Sequence, residues 1–193
     1  MEEIDEKSAF LNLINKVMNL DEIQKEHLLK FVRYEKVSKN TNILKEGDVC
    51  RKFYFNLKGS IRLYFSTKAG KIKTRLVLFE DAPFTALLSF ITGDPTAEII
   101  EVLEDSCFAV ISREDFYGLV NDLPEWSSFY TMMLEKTYIY QNSRLEQLAT
   151  LSASERYQKI MKESPHFIQR LSNGVLASYL DVSQETLSRL KSR

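Results

Sequence analysis

Apolar and polar positions along the chain change rhythm twice, and the changes mark three zones. The first is helical: "LDEIQKEHLLKFVRYEKV" sets Leu20, Ile23, Leu28 and Phe31 on one helix face, with Asp21 suited to its N-terminal end. The second, from about Thr41 to Ile111, reads as short strands: "TNILKEGD", "KFYFNLKG", "SIRLYFS", "KIKTRLVLF", "AEIIEVLED" and "CFAVIS". Most are aromatic or β-branched, which suits a pleated surface. Gly47-Asp48, Gly59, Ala69-Gly70 and Gly93-Asp94-Pro95 supply the turns between them. Such closely spaced strands predict an antiparallel barrel or sandwich. "FTALLSFI" reads as a short helix or irregular segment, and Ser112 as the cap of a helix over "REDFYGLV".

The third zone is helical again. From Pro124 to about Leu151 there is no glycine or internal proline, and a helix of that length spans roughly 40 Å. Trp126, Phe129, Met133 and Tyr140 fall broadly on one side. Leu134, Tyr138, Gln141, Leu145 and Leu148 recur at coiled-coil spacing on another. The second stripe predicts a seam between two copies of the helix, with Gln141 fixing its register; an ordinary buried helix is the alternative. "SASERYQKIMKE" continues as a helix capped by Ser152 or Ser154, and Pro165 stops it.

The chain closes on "LASYLDVSQETLSRLKSR". "LASYL" and "QETLSRLK" are two short helical patterns separated by "DVS". Ala177 is small where two helices would touch, and Leu176, Leu180, Val182, Leu187 and Leu190 would face inward. Asp181 stands at the turn, where a left-handed backbone is expected and Asp is tolerated. Ser183 caps the second helix. These positions together have helix-turn-helix spacing. In that frame Gln184, Glu185, Ser188 and Arg189 share the solvent side. Arg grips guanine with two hydrogen bonds, Glu accepts from the cytosine amino group, and Ser and Gln are adaptable. Ser183, Thr186, Lys191 and Arg193 are placed for phosphates. Taken singly, Glu185 also fits a plain dipole-compensating role and Arg189 a solvated charge.

Charge distribution sharpens this picture. The 193 residues carry a net charge of −1, but Arg156 to Arg193 holds seven basic and three acidic residues against −5 on the rest. That asymmetry favours an anionic partner for the C-terminal end. Cys50 and Cys107 form no CxxC and are expected to be reduced and buried. The acidic start "MEEIDEKSAF" has no apolar signal-like core, and no apolar run is long enough to span a bilayer. A cytoplasmic location is therefore expected. No nucleophile–base pair, metal cluster or P-loop is visible, so no catalytic residues, metal or cofactor are assigned. Neither His27 nor His166 stands in a ligand set. Glu80-Asp81 and Glu104-Asp105 read as turn residues beside strands.

Over nearly its whole length the sequence resembles the Crp-Fnr family of bacterial transcription regulators. "ILKEGDVCRKFYFNLKGSIRLYF" is similar to the family's cyclic-nucleotide-type β-roll, "SERYQKI" to the segment leading into the DNA-binding domain, and "VSQETLSRL" to the recognition helix. Glu185, Ser188 and Arg189 form the E-x-x-S-R pattern of the fumarate-nitrate branch. The resemblance implies an α+β chain: a β-roll (jelly-roll) sensor over 1–122, a dimerisation helix over 123–151 and a helix-turn-helix domain over 152–193. It implies a homodimer on an inverted repeat with half-sites like TTGA, Arg189 on guanine and Glu185 on the cytosine of its complement. Where cyclic-AMP-binding members hold ribose with Gly-Glu-Leu and phosphate with Arg-Ser, this chain has Thr85-Ala86-Leu87 and Thr96-Ala97. Losing the arginine removes a bidentate charge-assisted contact, so cyclic AMP is not expected. Any effector is expected near Phe84, Thr85, Ala86, Leu87, Thr96 and Ala97, reaching Gln141 and Asn142. The cysteine set of the iron–sulfur branch is missing, and so is room for the β-hairpin wing of the DNA-binding domain. The implied partners are double-stranded DNA and a second copy of the chain, with RNA polymerase and a small-molecule effector left open and no membrane. The alternative is a ligand-binding or protein-interaction module with a vestigial helix-turn-helix.

Overall fold

The computed structural model describes residues 5–192, which fall into two compact units. The first is Met1–Leu63 with Leu78–Leu134, and the second is Tyr64–Val77 with Glu135–Arg193.

The first unit opens with α1 (Glu6–Val17) and α2 (Glu22–Leu29). Asp21 caps α2 in a reciprocal capping box with Gln24, as its position predicted. The lead-in nevertheless differs from its sequence reading in three ways. The helix α1, which the sequence reading lacked, buries Phe10, Leu13 and Ile14. Ile23 is 80% exposed instead of facing the core. The helix ends at Leu29, Lys30 and Phe31 turn, and β1 (Arg33–Val37) follows. A five-residue strand flanked by helical residues leaves too short an alternation to outweigh the helical period.

Seven further strands follow: β2 (Asn42–Leu44), β3 (Lys52–Lys58), β4 (Ile61–Ser66), β5 (Ile72–Leu78), β6 (Ala82–Phe84), β7 (Ile99–Val102) and β8 (Ser106–Ser112). One sheet runs β1-β8-β3-β6 and the other β2-β7-β4-β5. In the first, β3 and β8 are antiparallel, with Phe53 opposite Ile111 and Phe55 opposite Ala109. Both strands are buried along nearly their whole length. The short β6 falls between the stretches read from sequence and shares only Phe84 with the one read as a short helix or irregular segment. It holds Pro83, which a sheet tolerates at an edge, where the missing N–H breaks no ladder.

The core of this unit is aromatic. Phe53 packs on Phe116 at 4.5 Å and on Phe90 at 5.7 Å, and Phe55 meets Phe10 at 5.3 Å and Phe129 at 5.9 Å. Phe90 lies on α3 (Leu87–Thr92) and Phe116 on α4 (Arg113–Asp122), which Ser112 caps as expected. Trp126 and Phe129 come from the first turns of α5 (Pro124–Thr150). Cys50 and Cys107 are buried free thiols, as the sequence predicted. Arg62 and Glu101, two charges the apolar pattern conceals, form a part-buried pair at 2.5 Å.

The glycine turns also hold. Gly47 has φ +90° and its N–H reaches the Thr96 carbonyl at 2.8 Å, while the Asp48 carboxylate accepts from the Lys45 N–H. Gly59 has φ +89°, and its carbonyl accepts from the Asn56 side chain at 2.8 Å.

In the second unit, α5 continues to Thr150. It is followed by α6 (Ala153–Glu163), α7 (Pro165–Arg170), α8 (Asn173–Leu180) and α9 (Gln184–Lys191). Ser152, not Ser154, caps α6 in a capping box with Glu155. Pro165 ends one helix and also opens the next, standing in the first turn of α7. No helix of the described residues is long and apolar enough to cross a membrane.

Gly59 generates a test of the roll. A Cβ there would collide with Ser106 Oγ and approach the Asp105 carbonyl to 2.9 Å, in a backbone conformation that L-residues avoid. Gly59→Ala is expected to cost about 2 kcal/mol, read as a lower urea midpoint with an unchanged slope.

Candidate functional site

The turn between α8 and α9 sets the candidate site. Asp181 has φ 55° and ψ 48°, the left-handed conformation expected of it. The Val182 N–H then returns to the Ala177 carbonyl at 3.0 Å, closing the end of α8 in the manner of a Schellman turn. Ala177 is buried, and Leu176, Leu180 and Leu187 form the shared core, with Val182 and Leu190 half-buried at its edge. Ser183 caps α9 by accepting from the Thr186 N–H at 3.1 Å.

That geometry leaves Gln184, Glu185, Ser188 and Arg189 exposed together on α9. The Ser183 hydroxyl beside Glu185 holds its carboxyl below the usual carboxylate range, so it stays an ionised acceptor. Around them, Ser183 and Lys191 are exposed and Thr186 is half-buried against the Ser183 hydroxyl. Lys191 Nζ donates to Asn173 Oδ1 at 2.6 Å, joining the far end of α9 to the start of α8. Arg193, expected to meet a phosphate, lies outside the described residues.

Two arginines that hold these helices, Arg144 and Arg156, gave no periodic signal in the sequence, whereas Tyr140 lay on the stripe begun by Trp126. Arg144 on α5 is buried, donates to the Tyr179 carbonyl and stacks over the Tyr179 ring at 4.3 Å. Tyr140 donates its hydroxyl to the Arg75 carbonyl at 3.1 Å and meets the Tyr179 hydroxyl at 3.2 Å. Burial pushes the Tyr140 phenol well above its ordinary range, so it remains a donor. Arg156, within the "SERYQKI" stretch, donates to Leu180 at 3.0 Å and to Leu151 at 2.5 Å, tying the ends of α8 and α5. The expected seam is an exposed apolar stripe for most of its length: Tyr138 is 70% and Leu145 67% exposed, Leu148 and Gln141 are exposed, and Leu134 is half-buried. Ile139 adds a further exposed apolar side chain that the spacing had not included.

The expected effector residues of the roll are engaged with one another's surroundings. Phe84 is buried, stacked on Tyr54 at 4.9 Å and edge-on to Phe108 at 5.4 Å. Thr85 donates to the Lys52 carbonyl at 2.9 Å and touches the Cys50 sulfur at 3.1 Å. Ala86 is fully buried ahead of α3, and Leu87 is half-buried. Thr96 is buried, with its backbone bonded to Gly47 and Asp48 and its hydroxyl accepting from the Glu98 N–H at 2.9 Å; Ala97 is exposed. Gln141 and Asn142 belong to the other unit, where both are exposed on α5. A cleft of about 670 Å³ in the first unit is bounded by Arg51, Arg113, Tyr117 and Asn121 and by none of the expected effector residues.

Residues 34–122 match the family model of the cyclic nucleotide-binding domain. No curated protein sequence matches the chain. Among solved structures, it is similar to CLP of Xanthomonas campestris, described as a c-di-GMP-responsive global regulator: 19% identity over 86% of this chain and 88% of that one, TM-score 0.72. A putative transcriptional regulator of the crp/fnr family from Eubacterium rectale is 18% identical over 92% and 83%, TM-score 0.72. The catabolite activator protein of Thermus thermophilus is 19% identical over 93% and 84%, TM-score 0.60. The roll, the long helix and the capped helix pair are thus arranged along the chain as in these regulators. Residues 34–122 thus match the cyclic nucleotide-binding domain, and the chain as a whole has the fold of the Crp-Fnr regulators.

Proposed function

We propose that the chain is a DNA-binding transcription regulator of the Crp-Fnr type, acting in the cytoplasm as a homodimer on an inverted repeat. The observation that carries this reading is the α9 face: Gln184, Glu185, Ser188 and Arg189 exposed together behind a serine-capped, left-handed turn. An ionised carboxylate and a guanidinium four residues apart offer one acceptor and one bidentate donor to base edges. Arg189 reads guanine, Glu185 its paired cytosine, and Ser183, Thr186 and Lys191 bind phosphates. The functional division is a sensor over 1–122, a dimerisation helix over 123–151 and a reading domain over 152–193. A vestigial reading domain is less well supported, because a surface without a reading role has no need of that polar set over a fully buried Leu187.

The dimer seam is Leu134, Tyr138, Gln141, Leu145 and Leu148. Their exposure on an otherwise regular helix is the support, since large apolar side chains in a row call for cover. The roll does not take cyclic AMP: buried Ala86 and Thr96 offer the ribose and phosphate neither the carboxylate nor the guanidinium they require.

Three measurements follow from these assignments. Arg189→Ala is expected to cost about 1–3 kcal/mol on a selected inverted repeat and relax preference at one base pair, while Lys191→Ala weakens all duplexes alike and lowers the salt slope by about one. Equal weakening of random and selected DNA by Arg189→Ala would remove the base-reading role. Replacing Leu145 and Leu148 together by Lys sets like charges across the two-fold axis, so light scattering should report a monomer; a surviving dimer places the interface elsewhere. Calorimetry with cyclic AMP at micromolar concentration should show no heat, and a tight site at one per protomer would overturn that assignment.

A further inference from the structure

Charge is divided between the two units far more sharply than along the sequence. The first unit carries 13 basic and 21 acidic residues, and the second 13 basic and six acidic, a contrast of −8 against +7. More than half of the positive excess comes from the β4–β5 hairpin, not from the helix-turn-helix. Residues 64–77 hold Lys68, Lys71, Lys73 and Arg75 and no acidic residue.

This hairpin packs on the reading domain. Thr74, buried, shares a hydrogen bond with Ser178 of α8 at 2.6 Å, and Lys73 pairs with Asp181. The Lys73 ion pair neutralises the Asp181 carboxylate in the turn ahead of α9, where a DNA phosphate would otherwise meet a second like charge beside Glu185. Thr74 meets α8 and Lys73 meets the turn residue Asp181, so β5 lies beside the turn that leads into α9. At about 3.4 Å per residue, Lys71 lies roughly 7 Å further along than Lys73. Lys68 and Lys71 are exposed at this tip, and neither forms an ion pair among the described residues. Between α6 and α8 the chain forms α7 and no paired strands.

We propose that the β4–β5 hairpin is a second DNA-contact element, with Lys68 and Lys71 binding backbone phosphates that flank each half-site beside the N-terminal end of α9. It adds electrostatic grip from outside the helix-turn-helix. The proposal rests on the DNA-binding reading above. Lys73 and Thr74 are its positioning residues, and Lys68 and Lys71 its phosphate ligands.

The test uses the full chain, its selected inverted repeat and a random duplex of equal length. Each phosphate contact on duplex DNA adds about 0.9 to the slope of log affinity against log salt. Lys68→Gln with Lys71→Gln should lower the slope by about two per protomer, weaken both duplexes by the same factor and leave base preference intact. Hydroxyl-radical protection should shrink at the outer flank of each half-site. Lys68→Arg with Lys71→Arg should keep the slope and the protection. If the Gln pair keeps the parental slope and footprint while Arg189→Ala still relaxes selectivity, the hairpin proposal falls and the regulator reading stands. If the parental chain binds neither duplex, the regulator reading falls and takes the hairpin with it.

Discussion

A single left-handed residue governs the exposed face of α9. With Asp181 at φ 55°, α8 ends on the Val182–Ala177 bond and α9 starts two residues later under the Ser183 cap. The angle between the two helices, the contact at buried Ala177 and the outward set of α9 side chains all follow from that turn. Left-handed backbone disfavours L-residues by roughly 1–2 kcal/mol, and Asp is among those that visit it. Here the same residue has a second task, because its carboxylate receives Lys73. Glycine would relax the backbone but abandon the ion pair. The turn is thus a compromise between local conformational preference and long-range charge.

Legibility from sequence followed the range of the forces involved. The reading helix was legible because its signals are local: a cap, a small residue at a crossing, a turn tolerant of Asp and an apolar stripe. Glycine turns in the roll were legible for the same reason, as Gly47 and Gly59 adopt positive φ. β1 was not, because five residues of mixed burial after a helix carry little alternation. α1 was passed over because its acidic start was weighed only as a leader, not as a helix with Phe10, Leu13 and Ile14 on one face. Arg144 and Arg62 were hidden for a different reason. A buried arginine is recognised by its partner, and the partners, a carbonyl at Tyr179 and a carboxylate at Glu101, are distant in sequence. The docking of Thr74 on Ser178 joins two small hydroxyls more than a hundred residues apart, and no periodicity records it.

The aromatic core explains why the roll needs no staple. Phe53, Phe55, Phe90, Phe116, Trp126 and Phe129 are each nearly or fully buried, and they come from one strand and three helices. Such rings bring large apolar area and edge-to-face contacts worth about 0.5–1.5 kcal/mol per pair beyond area alone. Both cysteines can therefore stay as thiols. Burial pushes the Cys107 thiol up, which keeps it in the unreactive protonated form.

Pro83 also bears on how the molecule behaves among its own copies. An outer strand presents unpaired N–H and C=O groups that invite another chain to add on. β6 closes one side of its sheet with three residues, and the middle one has no N–H to offer. A newcomer strand would find too short a template with a donor missing at its centre. The outer edge of β6 is thus a poor template for a stranger strand, and among the four sheet edges it is the one that a proline shields.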